Sequence, residues 1–442
     1  MSELLRLITL QDPNTRVVLL GTAALGVAAG LVGSFAVLRR RALIGDAVAH
    51  AALPGLCVAY FVVGDRSFPA FLAGALAAGV LAAAFVAVVK ARTRIKEDAA
   101  IAIAIGGFFG LGIVLSRIIQ NQPTGNRAGL DSFIFGKAAS MVGSDATFIF
   151  AVALTITLVV ALLYKELKLT VFDRDFAVAQ GWPALAIDLA LMTLICVCTV
   201  AGLPAVGVVL VVALLVIPAV AARFWTNRLP TMLLLAALFG GASGLLGTVL
   251  SATLPAPAGV LSRGWPTGPL VVLCASALFL VSLLAAPKRG LLADLVRRVR
   301  LRRRIAIQNL LRDAYEHLEP RGDFGAAFRA ADLGAGPAHH DEPRRPFERA
   351  EALGLIQSAA GEYRLTGQGQ AAAARTVRAH RLWELYLIHH ADIAPDHVDR
   401  DADRLEHVLP PEVLAELEAR LEGQVPPGVP ASPHALRGSA LS

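Results

Sequence analysis

An aspartate and a histidine lie four residues apart in one apolar segment of the chain. Asp46 and His50 belong to the run at residues 44–55, and His50 is the only histidine before residue 288. On an α-helix this spacing puts both side chains on one face, one turn apart. A carboxylate oxygen beside an imidazole nitrogen suits a first-row divalent metal ion. The same pair could instead form a hydrogen bond that only holds the helix in place, and the spacing alone leaves both interpretations open.

The composition places this pair inside a membrane. Of 442 residues, 56% are hydrophobic and only 17% are charged, whereas a soluble domain carries about a quarter charged residues. This average composition excludes a soluble enzyme, a disordered chain and a fibrous protein. This average composition combines two different halves. Residues 17–286 consist of apolar runs, whereas residues 288–442 are polar and contain nine of the ten histidines. Charged groups are costly in lipid and usually mark a cavity or an ion path.

Nine membrane spans are predicted, since a helix needs about 20 apolar residues to cross the hydrocarbon core. They cover residues 17–37, 45–63, 68–90, 99–116, 146–164, 183–201, 205–223, 230–250 and 268–286. Every odd-numbered span is followed by basic residues, which favour the cytoplasmic side. The sequence therefore predicts an all-α polytopic membrane protein with its C-terminal half in the cytoplasm. Residues 131–143 are too short to cross and are expected to be re-entrant or interfacial.

Small residues and cysteines in the spans are interpreted as packing elements. GxxxG spacings allow close helix approach, and they occur at Gly26/Gly30, Gly106/Gly110 and Gly240/Gly244. All four cysteines lie in apolar runs, which excludes a disulfide scaffold or a CxxC metal site; they are Cys57, Cys196, Cys198 and Cys274.

Four sequence motifs resemble one transporter family. The run GDAVAHAALPG at residues 45–55 resembles the second-helix motif of the bacterial ABC-3 permeases, the membrane subunits of manganese, zinc and iron(II) importers. Three further stretches match in order, at residues 94–103, 206–219 and 266–269. The resemblance covers roughly residues 15–290. It implies that Asp46 and His50 line the translocation path and coordinate a divalent metal. The order Mn²⁺, then Zn²⁺ or Fe²⁺, rests on the sensor-like C-terminal half described below.

The resemblance also implies partners. Such permeases work as a pair, of two copies or of paralogues, with ABC ATPase subunits and an extracytoplasmic metal-binding protein in the bacterial inner membrane. A P-loop needs the pattern GxxxxGK[ST] to hold phosphates. The one Gly-Lys pair here, Gly136-Lys137, is followed by Ala138. We therefore expect a transporter subunit that is not itself an enzyme, with ATP bound only by its partner.

A cytoplasmic loop at residues 172–181 resembles the family segment that contacts the ATPase. Its expected coupling residues are Phe172, Asp173, Asp175, Phe176 and Gly181. The alternative is an ordinary solvated loop. Asp188, just inside the sixth span, is expected to be interfacial and not a metal ligand.

The C-terminal half resembles a second family. After a basic amphipathic helix at residues 291–303, helical patterns at 304–319, 325–333 and 344–354 precede a short hairpin, as in a winged helix-turn-helix. Residues 353–369 resemble the wing of the diphtheria-toxin-repressor and manganese-repressor family. The resemblance continues at residues 379–384 and at 401–409. We expect a membrane domain at 1–290, a linker helix at 291–303 on the lipid bilayer, a mainly α winged-helix domain at 304–370, a metal-binding and dimerisation domain at 371–422, and a tail at 423–442.

Five possible metal donors follow the wing. Asp403, Glu406 and His407 share one helical face, and His380 and Glu384 share another. Oxygen and imidazole donors suit Mn²⁺ and Fe²⁺, which predicts a cytoplasmic sensor-like site; salt-bridged solvated faces are the alternative.

Two departures from the second family bear on its function. The first helix, which supplies metal ligands in the family, here contains Arg312 in the run at residues 308–312. Prolines at 337, 343 and 346 interrupt the expected recognition helix, and internal proline breaks helices. These departures argue against specific DNA binding, although a membrane-tethered, metal-dependent DNA-binding regulator is the alternative function. A third possible function is that of a secondary metal carrier, which would transport the ion without ATP.

Overall fold

The computed structural model describes residues 13–39, 42–64, 67–122, 136, 143–254, 265–333, 344–390, 412, 416, 419 and 428–431. The chain divides into two compact units, Met1–Asp294 and Leu295–Ser442.

Helices make up the described part of the first unit. In chain order they are α1 (Pro13–Leu38), α2 (Ala42–Val63), α3 (Phe68–Arg92), α4 (Glu97–Gln120), α5 (Gly143–Leu162), α6 (Tyr164–Phe172), α7 (Arg174–Ala179), α8 (Ala184–Val206), α9 (Val208–Trp225), α10 (Leu229–Thr253) and α11 (Thr267–Ala285). Within the described ranges, eight of them are long and apolar enough to cross a membrane. Apolar helices stand at all nine predicted positions, and α9 is the shorter one. It is separated from α8 only by Gly207, whose φ of +92° interrupts the helical path.

Helices α1 and α10 cross closely at glycine residues. A Cβ atom on Gly240 would lie 2.0 Å from the carbonyl oxygen of Gly26, which means that only glycine allows this approach. Near the crossing, the hydroxyl oxygens of Thr22 and Thr248 are 2.9 Å apart. Of the three GxxxG spacings, those at Gly26 and Gly240 therefore meet each other. Among the described residues, none has an atom within 4 Å of a Cβ atom placed on Gly106.

Helix α2, which carries Asp46 and His50, is packed on two sides by small residues. A Cβ atom on Gly55 would lie 2.1 Å from the carbonyl oxygen of Gly74 on α3. On the other side, Gly112 of α4 sits against Pro54. Close packing of this kind fixes the orientation of α2 and hence of its two polar side chains.

The second unit combines helices with one hairpin. Its elements are α12 (Leu291–Leu318), a short 3₁₀ turn (Glu319–Arg321), α13 (Arg344–Ala352), β1 (Ile356–Ala359), β2 (Glu362–Leu365) and α14 (Gly367–His390). The strands are antiparallel and Ile356 pairs with Leu365. Ala360 and Gly361 join them, both with positive φ, as a two-residue hairpin turn requires. This arrangement agrees with the predicted winged helix.

Two local predictions in this unit are corrected. The basic segment and the helix expected from residue 304 form one continuous helix, α12. Residues 325–333 are not helical: Phe328 forms an isolated bridge with Tyr363 of the hairpin. Side chains stabilise the turns there, because Asp332 accepts a hydrogen bond from the backbone N–H of Arg329 at 2.8 Å. Such local bonds compete with helix formation.

The core of the second unit lies between α12, α13, α14 and the hairpin. Its fully buried members include Leu310, Leu318, Phe328, Phe347, Ile356 and Val377. Pro346 lies in the first turn of α13, where the missing N–H group costs little. Pro337 and Pro343 are outside the described residues.

Candidate metal centres

The pair on α2 has the geometry of two available donors. Nε2 of His50 lies 3.5 Å from Oδ1 of Asp46, farther than the usual 2.7–3.2 Å of an N–H···O hydrogen bond. Nδ1 of His50 is buried and has no hydrogen-bond partner among the described residues. The imidazole ring makes an edge contact with Phe109 of α4, with the ring centroids 4.9 Å apart. The ring is thus held by packing, while its nitrogen atoms are not held by a short hydrogen bond.

A buried hydroxyl on α8 lies near Gly45, the residue before Asp46. Thr199 is fully buried, and within the described part of the chain its Oγ1 has no hydrogen-bond partner. A Cβ atom on Gly45, the residue before Asp46, would lie 3.9 Å from that oxygen. The sequence analysis missed Thr199. The one signal was a hydroxyl within an otherwise apolar span, which is common in membrane helices.

Two donors are too few to enclose a metal ion. Within the described ranges, no group of three or more histidine, cysteine, aspartate or glutamate side chains could hold one. Further ligands at Asp46 and His50 would have to come from other parts of this chain, from a second chain or from water.

The predicted coupling segment forms the short helix α7. The carboxylate of Asp173 accepts a hydrogen bond from the backbone N–H of Phe176 at 2.9 Å and caps this helix. Two aromatic side chains stand out from it, with Phe172 61% and Phe176 48% exposed. Gly181 ends the segment with a φ of +82°. The segment therefore presents an ordered, partly apolar surface, with Asp175 exposed on it.

Asp188 connects this segment to α1. Its buried carboxylate forms an ion pair with Arg39, at the end of α1. Its other oxygen lies 3.8 Å from Nε of Arg174 on α7. The side chain of Asp188 is thus a partner of two arginines.

In the second unit, the structure brings His380 and Glu384 together. Nε2 of His380 lies 3.2 Å from Oε1 of Glu384, and both side chains are buried. Nη1 of Arg312 on α12 lies 3.2 Å from Nδ1 of His380. The other three predicted donors, Asp403, Glu406 and His407, lie outside the described residues. Arg312 was noted in the sequence only as a lost ligand position, and its contact with His380 was not foreseen.

Neighbouring charges complete this buried region. Burial raises the pKa of Glu316, and the positive charge of Arg312 acts in the opposite direction. Arg381 forms a two-pronged ion pair with Glu319, at 2.8 and 2.6 Å. Burial is the largest single influence and lowers the pKa of Arg381, but the hydrogen bond and charge of Glu319, together with Glu316 and Tyr315, outweigh it and the net shift is upward.

Comparisons with known proteins match both halves of the chain. The ABC 3 transport family matches residues 11–286. The metal binding and dimerisation domain of the iron dependent repressors matches residues 366–424.

Individual relatives cover most of the chain. It is 38% identical over 437 residues to the manganese transport system membrane protein MntC of Bacillus subtilis, with 97% of both chains covered. It is 45% identical over 301 residues to the zinc transport system membrane protein TroC of Treponema pallidum, covering 68% of this chain and 98% of that protein. Among solved structures, PsaBC from Streptococcus pneumoniae in complex with Fab is similar with a TM-score of 0.56 and 30% identity, over 65% of this chain and 97% of that one.

Proposed function

The chain belongs to the ABC 3 transport family, and from that premise we propose that it imports Mn²⁺, in preference to Zn²⁺ or Fe²⁺, through Asp46 and His50. The chain is a multi-pass membrane permease subunit of an ABC transporter, which confirms the family resemblance read from the sequence. The observation that carries the choice of Mn²⁺ is the manganese transport protein that matches 97% of this chain, including the C-terminal half. The zinc transport protein matches only 68%.

The α2 pair supports a transient metal site. A carboxylate and an imidazole suit Mn²⁺, Zn²⁺ and Fe²⁺ alike, which leaves the choice among them to the rest of the coordination shell. Because the described residues of one chain bring together only two such donors, we infer that a second permease chain, identical or paralogous, supplies another pair across the path. A site of few ligands from separate chains binds a dehydrated ion in one state and releases it when the chains move apart.

Energy and cargo come from partners. A separate ATPase subunit binds ATP and docks on the coupling segment, where Phe172 and Phe176 offer apolar contacts beside the charged Asp175. Asp173 supports this surface by capping α7. An extracytoplasmic metal-binding protein delivers the ion to the opposite side of the membrane.

The second unit senses cytoplasmic metal in this proposal. His380 and Glu384 already lie together, and Asp403, Glu406 and His407 are the further donors that the sequence places on one helical face. Metal bound there slows the transport cycle when cytoplasmic metal is abundant. The match to the metal-binding domain of the iron dependent repressors supports this role.

The test of cargo is uptake by cells that lack their own metal importers. The cells express the chain with its ATPase and binding protein, and radiolabelled Mn²⁺, Zn²⁺ and Fe²⁺ are each supplied at equal concentration. We expect Mn²⁺ uptake to exceed the other two, and unlabelled Mn²⁺ to compete best. A dominant Zn²⁺ or Fe²⁺ signal would replace manganese as the cargo, and no uptake of any of them would overturn the proposal.

A further inference from the structure

Three polar side chains, of which the two on α14 are buried, form a chain of contacts between α12 and α14. A nitrogen of Arg312 lies 3.2 Å from Nδ1 of His380. The other ring nitrogen of His380 lies 3.2 Å from a carboxylate oxygen of Glu384. Both residues of α14 are almost completely buried. The contacts therefore act in a protein interior, where each donor needs an acceptor.

The chemistry of arginine fixes the tautomer of His380. A guanidinium group stays protonated and only donates hydrogen bonds. Nδ1 of His380 must therefore accept, which leaves the hydrogen of the neutral imidazole on Nε2, facing the carboxylate of Glu384. A metal ion binds to the lone pair of a neutral ring nitrogen. In this arrangement the lone pair on Nδ1 is used by Arg312 and Nε2 carries a hydrogen.

The guanidinium also supplies the positive charge that a metal would bring. Glu316, one turn further along α12, has Oε1 3.9 Å from Nε of Arg312. Burial raises the pKa of Glu316, and the positive charge of Arg312 opposes this shift. Arg312 thus has an anionic partner on its own helix as well as its contact on α14.

The residues present fit a metal only if this contact is broken. His380 and Glu384 are suitable donors for a divalent ion. Among the residues that the structure describes, however, they have no third histidine, cysteine or carboxylate to form a metal-binding group. A cation is already in contact with the ring at the point where α12 faces α14.

We propose that Arg312 is an internal competitor of the metal: its guanidinium occupies His380 until a divalent ion displaces it toward Glu316. The inference rests on the metal-sensing role proposed above. Competition weakens the apparent affinity for metal, because part of the binding energy is used to break the Arg312–His380 contact. A weakened site suits a sensor that must stay empty at ordinary metal levels and fill only in excess.

The test measures Mn²⁺ binding to the full-length chain in detergent. All proteins carry Asp46→Ala and His50→Ala to remove the translocation pair, and free Mn²⁺ is followed by electron paramagnetic resonance. Arg312→Gln removes the charge and keeps a polar side chain of similar length. Arg329→Gln is the matched control, since Arg329 is an exposed arginine paired with Glu362. We expect Arg312→Gln to bind Mn²⁺ at least tenfold more tightly than the parent, and Arg329→Gln to bind like the parent.

Two additions separate the possible failures. Hydrogen exchange in α14 verifies that the variants are folded, and Arg312→Lys, which keeps the charge without the planar fork, is expected to bind with intermediate affinity. Equal or weaker Mn²⁺ binding by folded Arg312→Gln, together with loss of binding in His380→Ala, overturns the competition and leaves metal sensing intact. Binding that is unchanged in His380→Ala overturns the sensing site itself.

Discussion

The buried carboxylate of Asp188 on α8 is shared between Arg39, which directly follows α1, and Arg174, on helix α7 of the proposed coupling segment. The three residues come from three helices or their ends. Movement of α7 against an ATPase would therefore act on the membrane helices through charges as well as through the backbone. A buried charge that loses its partner is strongly destabilising, which makes this ion pair a sensitive point.

Asp188→Asn is expected to lower the thermal stability of the purified chain. It removes the buried negative charge that pairs with Arg39, and loss of one partner of a buried pair costs about 3–5 kcal/mol. The control is Glu97→Gln, which removes the partner of Lys90 in a more exposed pair and should cost less than about 1 kcal/mol. Equal melting temperatures for the two variants would show that the Asp188 pair is not structural.

Phe176→Ser is expected to reduce co-purification of the ATPase without reducing the amount of chain in the membrane. The change removes an exposed aromatic side chain from the proposed docking surface, and aromatic anchors dominate many interfaces, at about 2 kcal/mol or more each. Leu353→Ser, at an exposed apolar position in the second unit, serves as control. If ATPase recovery were the same for both variants, α7 would not be the docking element.

Gly240→Ala is expected to destabilise the membrane unit, whereas Gly106→Ala is not. A methyl group on Gly240 collides with the backbone of Gly26, while one on Gly106 meets open space. Overpacking costs about 1–3 kcal/mol. Thermal aggregation of the detergent-solubilised variants measures the difference, and identical curves would contradict the crossing of α1 and α10.

Glu319→Gln is expected to loosen the C-terminal half of α14. It removes the carboxylate that pairs with Arg381, whose side chain is buried and also donates to the carbonyl oxygen of Pro430 at 2.7 Å. The expected cost is about 3 kcal/mol, seen as faster hydrogen exchange in residues 367–390. Glu362→Gln breaks an exposed pair with Arg329 and should change little. Comparable exchange in both variants would mean that the Arg381 pair contributes no stability.

The membrane helices could be predicted from the sequence because each is an apolar run bounded by polar residues. The contacts between these helices could not be predicted in this way. The three GxxxG spacings look alike in the sequence, yet Gly240 meets another helix and Gly106 does not. Spacing identifies a small-residue face but not the partner that covers it.

The candidate sites also divide into features that the local sequence predicts and features that depend on contacts between distant residues. Asp46 and His50 were found because local helical spacing determines their relation and because lipid makes such residues costly. The Arg312–His380 contact joins residues 68 positions apart, so only the packing of α12 on α14 reveals it. Residues 325–333 were assigned wrongly since their apolar positions fit a helix, while the turn-forming side chain of Asp332 and the pairing of Phe328 with Tyr363 decide the outcome.

The most direct test of the account is metal uptake by His50→Ala compared with Cys57→Ala. Both residues lie on α2, and both side chains are possible metal ligands, but Cys57 is fully buried, with its thiol 3.8 Å from the carbonyl oxygen of Gly112. Radiolabelled Mn²⁺ uptake is measured in cells with equal amounts of each protein and its ATPase. The account predicts that His50→Ala abolishes uptake while Cys57→Ala retains it. Full uptake by His50→Ala would contradict the claim that metal passes through the Asp46–His50 pair.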